Sequence, residues 1–198
     1  MSETEFGPWS ELVQLGTKKA MQGLSEMIGA DIEVNDLELK LVPVTEVSNA
    51  FGGRDEDAVG IYLSVSGSAD GHLMLMYEPR IALAFVDLLM GQPISTTDSL
   101  DGMGRSALGE MGNIIGAFFL GAIADATGLA LSPSPPSVMT DMAGALLDVV
   151  SADILLTQDE TYVAEASFRV HGEDINGVFM VMPTQELFET IVNSTKVA

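Results

Sequence analysis

The sequence contains no cysteine, which excludes disulfide scaffolds, thiol catalysis and cysteine-ligated zinc or iron–sulfur centres. Basic residues are scarce as well. Eight lysines and arginines stand against 29 aspartates and glutamates in 198 residues, a formal charge of −21. Such a surface repels phosphate backbones and anionic bilayers, so neither nucleic-acid binding nor membrane insertion is expected. Long apolar runs are missing too: the central uncharged stretch, Met111 to Ala124, lies between Glu110 and Asp125 and falls short of the ~20 residues of a spanning helix. The opening Met1-Ser2-Glu3-Thr4-Glu5 is acidic where a signal peptide is basic and then apolar, so a cytoplasmic location is expected. Apolar residues, by contrast, make up 47% of the chain, enough for a sizeable core. The acids are scattered and only Lys18, Lys19, Lys40 and Lys196 accompany them among lysines. Molar salt shortens the screening length to about 3 Å and relieves that self-repulsion, so the composition points to a salt-loving source.

Along the chain, Trp9 to Gly29 carries helical apolar spacing behind Pro8. Residues 32–47 alternate as one or two strands, and 48–57 read as a polar loop. Residues 61–66 and 72–77 form a hairpin, and Pro79 opens a helix that Gly91 closes. The second half repeats this plan: a helix over 106–127 ending at Gly128, a short helix over 140–149, strands at 152–157, 161–170 and 177–182, and a closing helix from Pro183 to Asn193. Glu11-Leu-Val-Gln-Leu-Gly aligns with Glu110-Met-Gly-Asn-Ile-Ile at an offset of 110 − 11 = 99, and the segments from Gly71 and Gly177 align at 177 − 71 = 106. The halves read as pseudo-twofold repeats, 8–91 and 104–198, joined by a linker at 92–103. With no βαβ alternation, antiparallel pairing and an α+β fold are expected.

Within helix 106–127, a rotation of about 100° per residue puts Met111, Ile114, Ile115, Phe118, Ala122 and Ala126 on one stripe, expected to be buried. Glu110, Asn113 and Ser106 share the other side with glycines, alanines and one bulky residue, Leu120. Each glycine costs about 1 kcal/mol inside a helix, so Gly109, Gly112, Gly116 and Gly121 suggest the close approach of another surface. Glu-x-x-Asn alone carries little weight, since Glu46/Asn49 and Glu173/Asn176 share the spacing.

The wider pattern, Ser106-x3-Glu110-x2-Asn113-x22-Pro136, resembles the signature of the chemotaxis phosphatases of the CheC, CheX and FliY group. The two-repeat layout, without a further carboxy-terminal domain, is similar to the CheC type. The resemblance implies hydrolysis of the aspartyl phosphate on a CheY-type response regulator. No cofactor belongs to the phosphatase itself; the magnesium ion is held by the regulator. Asn113 would orient the attacking water, Glu110 would pair with the regulator's active-site lysine, and Ser106 and Pro136 would support the helix face. In the first repeat Glu11 remains, but Gln14 replaces Asn, Gly7 stands where Ser or Asp is expected and Leu37 replaces Pro, so that second site is expected to be degenerate. Lys18, on the same face, is expected to pair with Glu11 or Gln14. The resemblance also places Asp141, Met142, Ala145 and Asp148 near the segment that binds CheD, a receptor-modifying deamidase. The alternative is a small amphipathic helix packing Met142, Leu146 and Val149 inward. A rival to the enzyme is a non-catalytic interaction module, as in the related middle domain of FliM, which lacks the Glu/Asn pair. His72 and His171 lack a partner set for catalysis or metal binding, and Asp55-Glu56-Asp57 reads as a hydrated loop.

Overall fold

The computed structural model describes residues 3–170 and 173–195; His171 lies outside them. The elements in chain order are α1 (Glu3–Ile28), β1 (Ile32–Pro43), a 3-10 helix (Val44–Phe51), β2 (Asp57–Gly67), β3 (Gly71–Tyr77), α2 (Pro79–Leu89), α3 (Gly102–Thr127), β4 (Leu131–Pro133), β5 (Ser137–Met142), α4 (Ala143–Ile154), β6 (Glu160–Val170), β7 (Glu173–Pro183) and α5 (Gln185–Thr195). One seven-stranded antiparallel sheet runs β1-β6-β7-β3-β2, with β4 and β5 both pairing along the outer edge of β2. Both outer edges are crossed pairings. β1, from the first half of the sequence, pairs with β6 from the second, and β4 and β5 pair back onto β2. The halves therefore share one sheet and one core.

Strand alternation sorts side chains onto two buried faces. Val59, Ile61, Leu63, Leu73, Leu75, Phe179 and Val181 face α1, α2, α3 and α5. Met74, Met76, Met180 and Met182 face the opposite way, beneath α4 and the 3-10 helix. Because helices cover both faces, β3 is buried along its whole length and reads as an unbroken apolar run. His72 is a buried polar residue on the α4 side: its Nδ1 lies 3.0 Å from the Tyr62 hydroxyl and its Nε2 lies 3.1 Å from Asp153 of α4. Burial pushes its pKa below the usual histidine value, outweighing the hydrogen bond to Asp153.

Several sequence expectations are corrected. α1 begins at Glu3 with Pro8 inside it; the proline forfeits only one backbone bond near the helix start. Residues 44–51 form a 3-10 helix, held by buried Val44 and Val47, where the end of a strand (44–47) and the start of a loop (48–51) were expected. The expected strand at 152–157 is instead the end of α4 and a turn, and the expected helix start at 140–142 is the end of β5. Short apolar runs look alike in helix and strand, and the pairing of Asp57–Tyr62 with Ser137–Met142 decides between them.

The segment between α2 and α3 is fastened by Asp87, whose carboxylate is fully buried. It accepts from the backbone N–H of Thr96 and Thr97, both at 2.9 Å, and from the Thr97 hydroxyl at 2.6 Å. Ser95 adopts a left-handed φ of 72° in this wrap. Burial by itself would raise the Asp87 pKa; the Thr97 hydroxyl and the backbone donors outweigh it and hold the carboxyl below 3.8. A depressed folded pKa gives stability that is complete above the unfolded value and lost as pH falls through the folded one. Asp87→Ala is therefore expected to cost about 2 kcal/mol at pH 7. Urea unfolding should show the gap to wild type narrowing only below the ordinary carboxylate range.

Candidate active site on helix α3

Helix α3 starts four residues before the expected Ser106 because Asp101 caps it, accepting from the Gly104 N–H at 2.8 Å. It ends at Gly128, whose left-handed φ of 72° lets its N–H bond to Ala124. Length and composition alone would suit α3 to a bilayer. In the fold it packs on β2 and α1 as a core helix.

The buried stripe is rotated from the expected one. It comprises Gly104, Leu108, Met111, Gly112, Ile115, Gly116, Phe119, Leu120, Ala122 and Ile123; Met111, Ile115 and Ala122 are buried as expected, while Phe118 is 39% exposed, Ile114 is half-buried and Ala126 is exposed. Leu120 belongs to the core and so does not crowd the Glu110/Asn113 face, on which Met103, two turns before Glu110, is the exposed bulky residue. The glycines explain the rotation. A methyl added at Gly112 would lie 2.5 Å from Ile61 Cγ2, and one at Gly116 would lie 3.0 Å from Leu63 Cδ2. These two glycines let α3 settle onto β2, so the close approach inferred from sequence is internal. α1 does the same from its side: added methyls at Gly16 and Gly23 would strike Phe119 and Phe118.

With that face turned inward, Ser106, Glu110, Asn113 and Ala117 all stand exposed on the opposite side. Among the described residues, Glu110 and Asn113 make no side-chain hydrogen bond or ion pair, so a visiting molecule meets their polar atoms free. The Ser106 hydroxyl donates to the Gly102 carbonyl of its own helix at 3.0 Å, which makes it part of the helix framework. Pro136 reaches α3 from the segment before β5: its Cγ is 3.9 Å from the methyl position of Gly109 and its Cβ 3.6 Å from that of Gly112. It thus buttresses the two residues immediately preceding Glu110 and Asn113. Pro133 does likewise at Gly116, 3.6 Å from its methyl position, a contact for which the sequence carried no signal beyond the run of prolines.

In the first half, Glu11 and Gln14 are also exposed on α1. There the carboxamide is engaged, Gln14 Nε2 donating to Ser10 Oγ at 3.3 Å. The expected pairing of Lys18 with Glu11 or Gln14 does not form among the described residues. Leu37 is half-buried beside a cavity of about 540 Å³ between α1 and β1, where the second half has prolines against its helix.

Asp141, Met142, Ala145 and Asp148 are all exposed along β5 and α4. Of the three residues expected inward on the amphipathic reading, only Leu146 is buried; Met142 and Val149 are 47% and 56% exposed. Arg54, which sequence reasoning missed, bonds Asp148 Oδ2 at 2.8 Å and lies over Gly144.

The architecture is that of FliY and of the chemotaxis protein CheX. Thermotoga maritima FliY superposes with a TM-score of 0.76 at 20% identity, covering 100% of this chain and 98% of that one. CheX of Borrelia burgdorferi, solved in a CheX-CheY-BeF3-Mg2+ complex, gives a TM-score of 0.56 at 18% identity over 86% of this chain and 97% of that one. Residues 103–140, which contain Ser106, Glu110, Asn113 and Pro136, match the CheC-like family. Over nearly the whole length the chain is similar to the CheY-P phosphatase CheC of Bacillus subtilis, 27% identical over 195 residues, 96% of this chain and 93% of that protein.

Proposed function

We propose that the protein hydrolyses the aspartyl phosphate of a CheY-type response regulator, with Glu110 and Asn113 as the residues that reach the reacting centre. The observation that carries this reading is their unobstructed exposure on one side of α3, within the segment that matches the CheC-like family. Similarity to a CheY-P phosphatase along almost the entire chain supports it.

An aspartyl phosphate is an activated acyl phosphate, so positioning accomplishes most of the catalysis. The regulator brings the phosphoryl group and its magnesium ion. The Asn113 carboxamide oxygen accepts from a water and its N–H2 donates, fixing that water in line with the P–O bond to aspartate. The water oxygen forms a new bond to phosphorus as the acyl P–O bond breaks, freeing the carboxylate and inorganic phosphate. Glu110, a turn away, is placed to pair with a cationic side chain at the rim of the regulator's pocket. Asp141, Met142, Ala145 and Asp148 form a separate exposed face suited to a second partner of the CheD type, and the acidic composition fits operation at high salt.

Phosphate release from a phosphorylated cognate regulator, followed with and without the protein in low and in molar salt, tests the reading. Acceleration is expected with wild type. Gln14→Ala should change the rate less than twofold, because its carboxamide is tied to Ser10 and the proposed chemistry is on α3. Decay at the intrinsic rate alongside demonstrated regulator binding would favour the interaction-module alternative.

A further inference from the structure

A groove of about 800 Å³ lies between α5, the end of β1 and the 157–160 segment, and the phosphatase reading leaves it unused. Tyr162, Phe188 and Val192 form an apolar floor, the two rings stacked with centroids 5.0 Å apart. Gln158 ties the 157–160 segment down, its Nε2 donating to the carbonyls of Glu160 and Pro183 at 3.0 and 3.1 Å. Leu41 lines the groove and is exposed, and Leu155 and Leu156, also exposed, immediately precede the 157–160 segment. Apolar surface gathered in water inside a polar rim marks an interaction site. The rim here is acidic: Asp159, Glu160 and Glu189 line it, and no lysine or arginine does among the described residues. Asp159 and Glu160 make no ion pair or side-chain hydrogen bond among the described residues.

The other half of the molecule shows what such a helix accepts. At the offset of 106 that aligns the halves, Ile81, Phe85 and Val86 of α2 fall on Leu187, Ile191 and Val192 of α5, and all six are buried. Asp87 then falls on Asn193, which lines the groove. In the first half the non-helical segment 95–97 crosses this helix position and gives the Asp87 carboxylate two backbone N–H bonds. In the second half Asn193 is exposed and makes no side-chain hydrogen bond among the described residues.

The geometry points to an extended, basic segment of a partner protein as the occupant of this groove, lying on α5 as residues 95–97 lie on α2. An extended chain presents both N–H and C=O groups, and the Asn193 carboxamide accepts from the one and donates to the other. Lysine or arginine side chains of the segment meet the carboxylates of the rim. Apolar side chains between them, on the opposite face of the extended chain, rest on Leu41 and the aromatic floor. A small organic cation would answer the rim alone and leave Leu41, Leu155 and Leu156 in water, so a peptide is the better match.

Fluorescence anisotropy of a labelled peptide, Leu-Lys-Val-Arg-Val-Lys-Leu, titrated with the full chain in molar salt, tests the assignment. That salt screens the general attraction of a surface of charge −21 and leaves contact binding. The chain should bind this peptide and not the charge-reversed Leu-Glu-Val-Glu-Val-Glu-Leu. Leu41→Lys sets a cation against the peptide and should weaken binding about tenfold. Met90→Lys is the matched control, an apolar residue outside the groove that is 41% exposed against 40% for Leu41, and it should leave binding unchanged. Asn193→Ala should weaken binding about three- to tenfold through the lost backbone bonds. All three side chains are exposed, so Tm should hold, and Asn193→Ala decides the matter if Leu41→Lys misfolds. Absence of binding, equal affinity for the acidic peptide, wild-type affinity in Asn193→Ala, or equal weakening by Leu41→Lys and Met90→Lys would overturn the proposal. Dimerisation of the chain that Leu41→Lys abolishes would also overturn it, by giving the groove to a second copy. None of these readouts involves a response regulator, so the outcome is independent of the phosphatase reading.

Discussion

Asn113→Ala is expected to reduce acceleration of regulator dephosphorylation about 100-fold, to near the regulator's intrinsic decay, with the fold and Tm unchanged. The size follows from the kind of catalysis. When the substrate is already activated and its charge is neutralised by its own metal ion, an oriented water is the main contribution left to the helper, and a misplaced nucleophile costs about 10²-fold. Structure should be spared because the side chain is exposed and makes no hydrogen bond among the described residues. Alanine is also the better helix former. A beryllofluoride-loaded regulator should still bind the variant, since Glu110 and the rest of the ridge are intact. The decisive comparison is single-turnover phosphate release against that binding. A variant that binds and still accelerates at the wild-type rate would remove Asn113 from the chemistry.

Gly112→Ala should be the most damaging single methyl on α3, lowering stability by about 2–3 kcal/mol and Tm by roughly 5–10 °C. The added carbon would stand 2.5 Å from Cγ2 of Ile61, a fully buried β-branched residue in β2, and 3.6 Å from Pro136. Neither neighbour can swing aside, because Ile61 is stiff at χ1 and Pro136 is a ring. Helix and strand must separate instead. Gly121→Ala is the control: nothing lies within 4 Å of its methyl position, so the helix-propensity gain should appear alone, as about 0.5–1 kcal/mol of added stability. Thermal melts of the two variants separate packing from propensity. Dephosphorylation assays on Gly112→Ala, run below its Tm, should also show lost rate, because lifting α3 off β2 moves Asn113 with it.

How much of this was legible in the sequence differs between elements for identifiable reasons. The hairpin of β2 and β3 was readable because its turn glycines and apolar runs are local signals. Residues 140–142 and 152–157 were misread because each is too short to show a decisive period, and strand pairing with β2 in one case and packing of α4 in the other decided their state. Arg54 over Gly144 and the Asp87 wrap join segments distant in sequence or shaped by a loop, and no periodicity announces such contacts.

By itself the sequence determined that Glu110 and Asn113 share one side of a helix, because residues three apart on a helix necessarily do. It also determined the antiparallel α+β class, through alternating runs broken by turn residues. Only the tertiary structure decided which way that helix side faces. Two glycines that look like an external docking surface are consumed in seating α3 on Ile61 and Leu63, and this rotates Leu120 inward and leaves Glu110 and Asn113 in solvent. The tertiary structure also decided that the halves interlock, since β1 finds its partner in β6 and β5 in β2. Long-range strand pairing depends on where whole faces can be buried together, which no local stretch of residues encodes.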